Sequence, residues 1–194
     1  PFIYQGQELG MANCPWNSAE EFNDISTLNQ YNLVQQAGCT PEEAVQVVGE
    51  YSRDNARTPF PWDDGPNAGF TTGKPWLKVN PSYTTVNAAA ERQDPHSVLA
   101  YYKKLVALRK DPATSGPLGY GTITPCLLEY DDVIAYVREE QGQKILVVNH
   151  FTSGDREVKL PYTVRKVLLT NYPDADIRDD VLNLKPYQSV VAEI

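Results

Sequence analysis

What this chain has little of narrows it first. Its three cysteines, Cys14, Cys39 and Cys126, form an odd set without Cys-x-x-Cys spacing, and only His96 and His150 could join them. Neither a disulfide framework nor a zinc site follows, and the thiols read as small hydrophobes. No apolar run approaches the ~18 residues of a membrane span, and no charged leader with a hydrophobic stretch is present. Positive charge is scarce too: 17 Lys and Arg face 25 Asp and Glu, for a formal net charge of −8. Such a field repels phosphate backbones and anionic lipid, so neither nucleic acid nor membrane is an expected partner. Gly-x-Ser-x-Gly, P-loop and His-Glu-x-x-His motifs are missing, and Gly119-Tyr120-Gly121 lacks the third glycine of a dinucleotide fingerprint.

What is present reads as globular. Hydrophobic residues make up 41% and charged residues 22%, which argues against disorder and coiled coil. The chain starts at Pro1-Phe2-Ile3-Tyr4, already inside an apolar, strand-like run, which reads as a cut through a folded element. The absence of a leader therefore says nothing about compartment.

Two regimes meet near Asp111-Pro112. Thr40-Pro41-Glu42-Glu43 predicts a helix start, with Thr40 as N-cap, Pro41 in the first turn and Glu43 closing a capping box. Asp94-Pro95 predicts another, with Val98, Tyr101, Tyr102, Leu105 and Leu108 as a stripe packed on a core. A third helix is expected over 24–36. Residues 52–87 lack a period and carry Trp62, Phe70, Trp76 and Tyr83, which predicts an ordered loop pinned by aromatics. After residue 112 come six short β-rich runs, at 126–130, 133–138, 144–149, 157–160, 165–170 and 189–193. Turn chemistry such as Gln141-Gly142 separates them, and the spacing predicts an antiparallel sandwich.

The chemically suggestive stretch is Ser52-Arg53-Asp54-Asn55-Ala56-Arg57-Thr58-Pro59. Arg53 and Arg57 can each make forked hydrogen bonds to a carboxylate or to vicinal hydroxyls. The same residues equally suit a salt-bridge cluster that tacks down a loop. A tryptophan nearby suits sugar stacking or structural anchoring alike.

This stretch, with Pro1 to Met11 (PFIYQGQELGM), Trp62-Asp63, Asn67-Ala68-Gly69-Phe70, Pro75-Trp76, Val79-Asn80-Pro81 and Leu184-Lys185-Pro186-Tyr187, resembles the final third of oligo-1,6-glucosidases and related α-glucosidases. These belong to the α-amylase superfamily, glycoside hydrolase family 13. Phe60-Pro61 departs from the Met-Gln common in relatives. The resemblance implies an α/β plus all-β fold. Residues 1–112 would be the last strand-loop-helix segment of a (β/α)8 barrel, with residues 1 to about 10 as its eighth strand and following turn. Residues 113–194 would be an antiparallel β-sandwich C-terminal domain.

The resemblance further implies a retaining, exo-acting α-glucosidase of short α-linked gluco-oligosaccharides, with isomaltose-like α-1,6 linkages favoured. Its catalytic carboxylates lie in strands outside this chain, so the chain alone is expected to be inactive and to carry no catalytic residue. Glu8, Asp54 and Asp63 read as structural hydrogen bonders. Arg53 falls where relatives place an arginine that, with an upstream aspartate, holds the non-reducing terminal glucose through its outer hydroxyls. Arg57 is a weaker substrate-binding candidate that more simply braces the loop, and Tyr4 and Trp62 are wall residues at most. The expected partners are an oligosaccharide substrate and the N-terminal part of the barrel; no cofactor or metal is expected, and the address is cytoplasmic. Alternatives are a sucrose isomerase of the same architecture and a non-catalytic carbohydrate-binding or structural module.

Overall fold

The computed structural model describes residues 2–194, and Pro1, the first residue of the expected barrel strand, lies outside the described residues. The chain divides into two units, Pro1–Tyr102 and Lys103–Ile194, with the division inside one helix.

Caps set the helices of the first unit. The Asp24 side chain accepts the Thr27 N–H and opens α1, Ile25–Gln36. Thr40 and Glu43 form the expected reciprocal capping box of α2, Pro41–Tyr51, which satisfies two donors that the helix itself cannot. Leu28, Tyr31 and Val34 of α1 pack against Cys14, Trp16, Phe22, Val45 and Val48. The turn at Gln7–Leu9 is flanked by Gly6 and Gly10, both left-handed at φ 86° and 68°. A side chain at Gly6 would also collide with Met11.

Several expectations need correction. Residues 2–4 form no strand, because a strand exists only through a ladder and no described segment runs beside them. The loop over 52–87 is ordered but pinned little by its aromatics, since Trp62, Phe70 and Trp76 are exposed and Tyr83 is half-buried. Buried amides pin it instead. Asn80 donates to the Ala12 carbonyl at 2.8 Å, and Asn87 caps a short helix that was not expected, α3, Ala88–Gln93. The next helix, α4, Val98–Lys110, begins after Asp94-Pro95, because residues 94–97 fold into a turn. Ser97 then accepts the Ala100 N–H at 3.1 Å. No residue of α4 is fully buried, so its stripe packs on a core less fully than expected, through Leu108.

The second unit holds α5, Ser115–Tyr120, and eight strands instead of six: β1 Thr122–Cys126, β2 Val133–Glu140, β3 Gln143–His150, β4 Arg156–Lys159, β5 Lys166–Thr170, β6 Asp176–Arg178, β7 Val181–Leu184 and β8 Ser189–Glu193. All pairs are antiparallel, in sheets ordered β1-β2-β3-β8-β5 and β4-β7-β6. Gln141 and Gly142 take positive φ, the geometry that a tight hairpin between β2 and β3 requires. Alternation sends Ala135, Val137, Leu146, Val148 and Val190 into one core with Val158, Leu182 and Leu184 of the smaller sheet. Ile145, Val147 and Val191 point the other way, where Leu108 and Leu118 pack against them. With both faces covered, β3 reads as a continuous buried run over 145–148. β1 carries Pro125 on one edge of the larger sheet, and β5 has a register shift between Val167 and Leu169 on the other.

Candidate functional site

Helix α2 stops at Ser52, and residues Arg53–Arg57 form a 3-10 turn directly after it. Ser52 is buried and fixes the corner: its hydroxyl is hydrogen-bonded to Thr27 Oγ1 at 2.9 Å and accepts from the Asp54 N–H at 3.2 Å. The turn thus points its side chains in different directions, each with its own task.

Asp54 is 0% exposed, and its Oδ2 accepts the N–H groups of Asn23 and Asp24 at 2.7 and 2.8 Å. Its Oδ1 makes no hydrogen bond, and the nearest cation is Arg57 Nη1 at 3.7 Å. Asn55 Oδ1 accepts from the Cys14 N–H at 3.1 Å and from Trp16 Nε1 at 2.8 Å, while its Nδ2 donates to the Gly49 carbonyl at 2.7 Å. One segment therefore ties α2, the entry to α1 and the irregular stretch around Cys14.

Arg53 meets a partner that the spacing of the sequence did not supply. Its Nη2 donates to Asp24 Oδ1 at 2.5 Å and its Nε to Asp24 Oδ2 at 3.2 Å, a two-pronged pair. Asp24 is only 4% exposed, whereas the Arg53 side chain is 60% exposed. The hydrogen bond from Arg53 draws the Asp24 carboxyl down to about 2 against the opposing effect of burial, and the Arg53 guanidinium is raised in return. Arg57 stands 4.0 Å from Asp24 Oδ1, completing a box of two carboxylates and two guanidiniums. Asp24 could have been found as a helix cap in the sequence, but not as the partner of an arginine 29 residues away.

On another side of the same turn lies a cavity of about 380 Å³, lined by Gln5, Gln7, Asn13, Glu50, Tyr51 and Asn55 among others. Neither Arg53 nor Arg57 lines it. Tyr4 does, while Trp62 packs its ring against Phe60 at 4.7 Å between centroids. Asp63 accepts the Gly65 N–H at 2.8 Å, a structural role as expected. Glu8 is different, because its Oε2 is buried without a hydrogen-bond partner. Among the described residues all three cysteines are free, and no cluster of three His, Cys, Asp or Glu is placed to hold a metal ion. No helix among them is long and apolar enough to cross a membrane.

Residues 1–116 match the family model of the α-amylase catalytic domain, and residues 133–191 match that of the α-amylase SusG C-terminal domain. The chain is 41% identical over 98% of its length to the probable oligo-1,6-glucosidase 2 of Bacillus subtilis strain 168, of which it covers 34%. It is 38% identical over its whole length to the oligo-1,6-glucosidase of Parageobacillus thermoglucosidasius, of which it covers 35%. It thus spans about a third of the length of the curated relatives it matches. Among solved structures, the trehalulose synthase MutB from Pseudomonas mesoacidophila MX-45 superposes with a TM-score of 0.90 at 41% identity, over 100% of this chain and 35% of that one. A MutB variant has also been solved with the substrate sucrose.

Proposed function

The chain belongs to the α-amylase family, and from that premise we propose that it is the C-terminal portion of a retaining, exo-acting α-glucosidase of short α-linked gluco-oligosaccharides, α-1,6 linkages favoured. The observation that carries this reading is the 41% identity to the probable oligo-1,6-glucosidase 2 of Bacillus subtilis over nearly the whole chain. In this reading residues 1–112 close the barrel, residues 113–194 are its β-sandwich domain, and the address is cytoplasmic.

Retaining glycosidases use a carboxylate nucleophile and a carboxylic acid that protonates the leaving oxygen, about 5–5.5 Å apart. In the family pattern the nucleophile and the acid come from the N-terminal part of the barrel; in this chain Asp54 is engaged by backbone N–H groups and Asp24 by Arg53. What this chain contributes is recognition. The N–H groups of Arg53 not engaged by Asp24 donate to hydroxyls of the terminal glucose, which favours cleavage from chain ends. Arg57, nearer the buried carboxylates, acts mainly as a brace.

The test is product analysis with the full-length enzyme containing this chain on isomaltose and longer isomalto-oligosaccharides. Release of α-glucose from non-reducing ends is expected, and no turnover by the 194-residue chain alone. Internal cleavage, β-glucose release, or hydrolysis by the isolated chain overturns the reading. A sucrose isomerase is the second reading, favoured by the match to trehalulose synthase at the same 41% identity. Conversion of sucrose to an isomeric disaccharide in preference to isomaltose hydrolysis would select it.

A further inference from the structure

We infer that Asp24 is a positioning residue for substrate recognition: its carboxylate fixes the plane of the Arg53 guanidinium so that the remaining N–H groups present a preset fork to sugar hydroxyls. This rests on the proposed reading of Arg53 as the residue that touches substrate.

The pair is needed neither to cap α1 nor to tether the loop before it. Capping α1 requires one acceptor, and Asp24 Oδ2 already serves it through the Thr27 N–H at 3.2 Å. Tethering the loop before α1 is done by Asp54, which holds the Asn23 and Asp24 N–H groups. Nor is stability the whole of what an ion pair with a partner as exposed as Arg53 supplies, because water screens part of it. What a two-pronged contact adds is orientation, since both planar groups must align for two hydrogen bonds to form together.

The supports behind Asp24 are themselves fixed. Thr27 Oγ1 donates to Oδ2 at 2.9 Å, and the Asp24 backbone N–H is held by a fully buried carboxylate. A rigid, buried anchor on one side and a partly exposed guanidinium on the other is the arrangement by which a supporting residue aims one that meets substrate. The free edge of Arg53 then loses little freedom when a vicinal diol binds, which lowers the entropic cost of recognition.

The test uses the full-length enzyme containing this chain, with isomaltose as substrate. Asp24→Ser keeps a capping hydroxyl for α1 but releases Arg53, and Asp24→Asn keeps the shape but not the charge. In either variant KM is expected to rise about tenfold or more, the loss of a charge-assisted contact, with kcat changing far less. Adding either change to Arg53→Lys, which already lacks the fork, should raise KM little further. The inference is overturned if Asp24→Ser melts earlier but keeps KM within about twofold of the parent, or if the Asp24 and Arg53 effects multiply. If the parent enzyme isomerises sucrose or cuts internally, the glucosidase reading fails instead. The same single and double variants, assayed on that substrate, then decide the role of Asp24 separately.

Discussion

The two units solve the same problem with different materials. The sandwich buries a broad apolar layer between its sheets and a second behind the larger sheet, so its strands are held mainly by hydrophobic burial. The first unit has a small apolar cluster around Trp16 and Phe22, and its long connections are held by buried Asp24, Asp54, Asn80 and Asn87. Burial is forgiving of detail, because any apolar residue of similar volume serves. A buried carboxylate or amide is not, because it must find its donors in fixed places. The regular half of the molecule is thus built from interchangeable parts, and the irregular half, where the candidate site lies, from parts with one address each.

That contrast can be tested from one probe, since all three tryptophans, Trp16, Trp62 and Trp76, lie in the first unit. Tryptophan fluorescence follows that unit, while far-UV circular dichroism follows both. The largest effect is expected for Val148→Asp, which places a charge in the fully buried sheet core and should cost at least about 5 kcal/mol. Loss of β signal with the tryptophan environment retained would sharpen the distinction between the units; simultaneous loss of both would break it.

Asp54→Ala comes next. It orphans two backbone N–H groups, at about 1–3 kcal/mol each, and should lower the fluorescence-detected urea midpoint while leaving most of the β signal in place. An unchanged midpoint would show that buried polar ties are not what holds this half.

Acid is the third probe. The folded Asp24 carboxyl lies near 2, below its ordinary 3.8, so the folded state gains stability at pH above that ordinary value and loses it as pH falls through 3.8 toward about 2. Fluorescence-detected stability should decline across that window, and Asp24→Asn should flatten the decline. Asp132 in the sandwich is lowered as well, chiefly by its hydrogen bond from Arg156, which is why the probe must be specific to the first unit. The smallest effect, about 1 kcal/mol, is expected for Thr40→Ala, which removes one arm of the capping box. A calorimetric scan that moved more than for Asp54→Ala would reverse the order of importance.

The same contrast governs what the sequence discloses. Thr40-Pro41-Glu42-Glu43 announces its helix because a cap is local chemistry, and β2, β3 and β8 announce themselves through runs of Val, Ile and Leu. Asp176–Arg178 escapes notice because three residues with charged ends carry no period, yet Asn183 and Leu182 of β7 give it a partner. The first strand lies earlier than the β-rich text at 126–130 suggests, because Leu127 takes a positive φ and turns the chain. At the site, Arg53 and Arg57 stand out by their spacing. Asp24 does not, because the contact that gives it meaning is between residues far apart in the chain, and no local pattern encodes it.

The interruptions at the two rims of the larger sheet bear on the fate of the protein at high concentration. An outer strand is a template on which a strand from another molecule can add, and growth needs an unbroken ladder of donors and acceptors. Pro125 lacks the N–H that one rim would need, and the shift between Val167 and Leu169 throws the other rim out of step. The larger sheet is therefore interrupted at both rims, which disfavours growth into filaments by strand addition to that sheet.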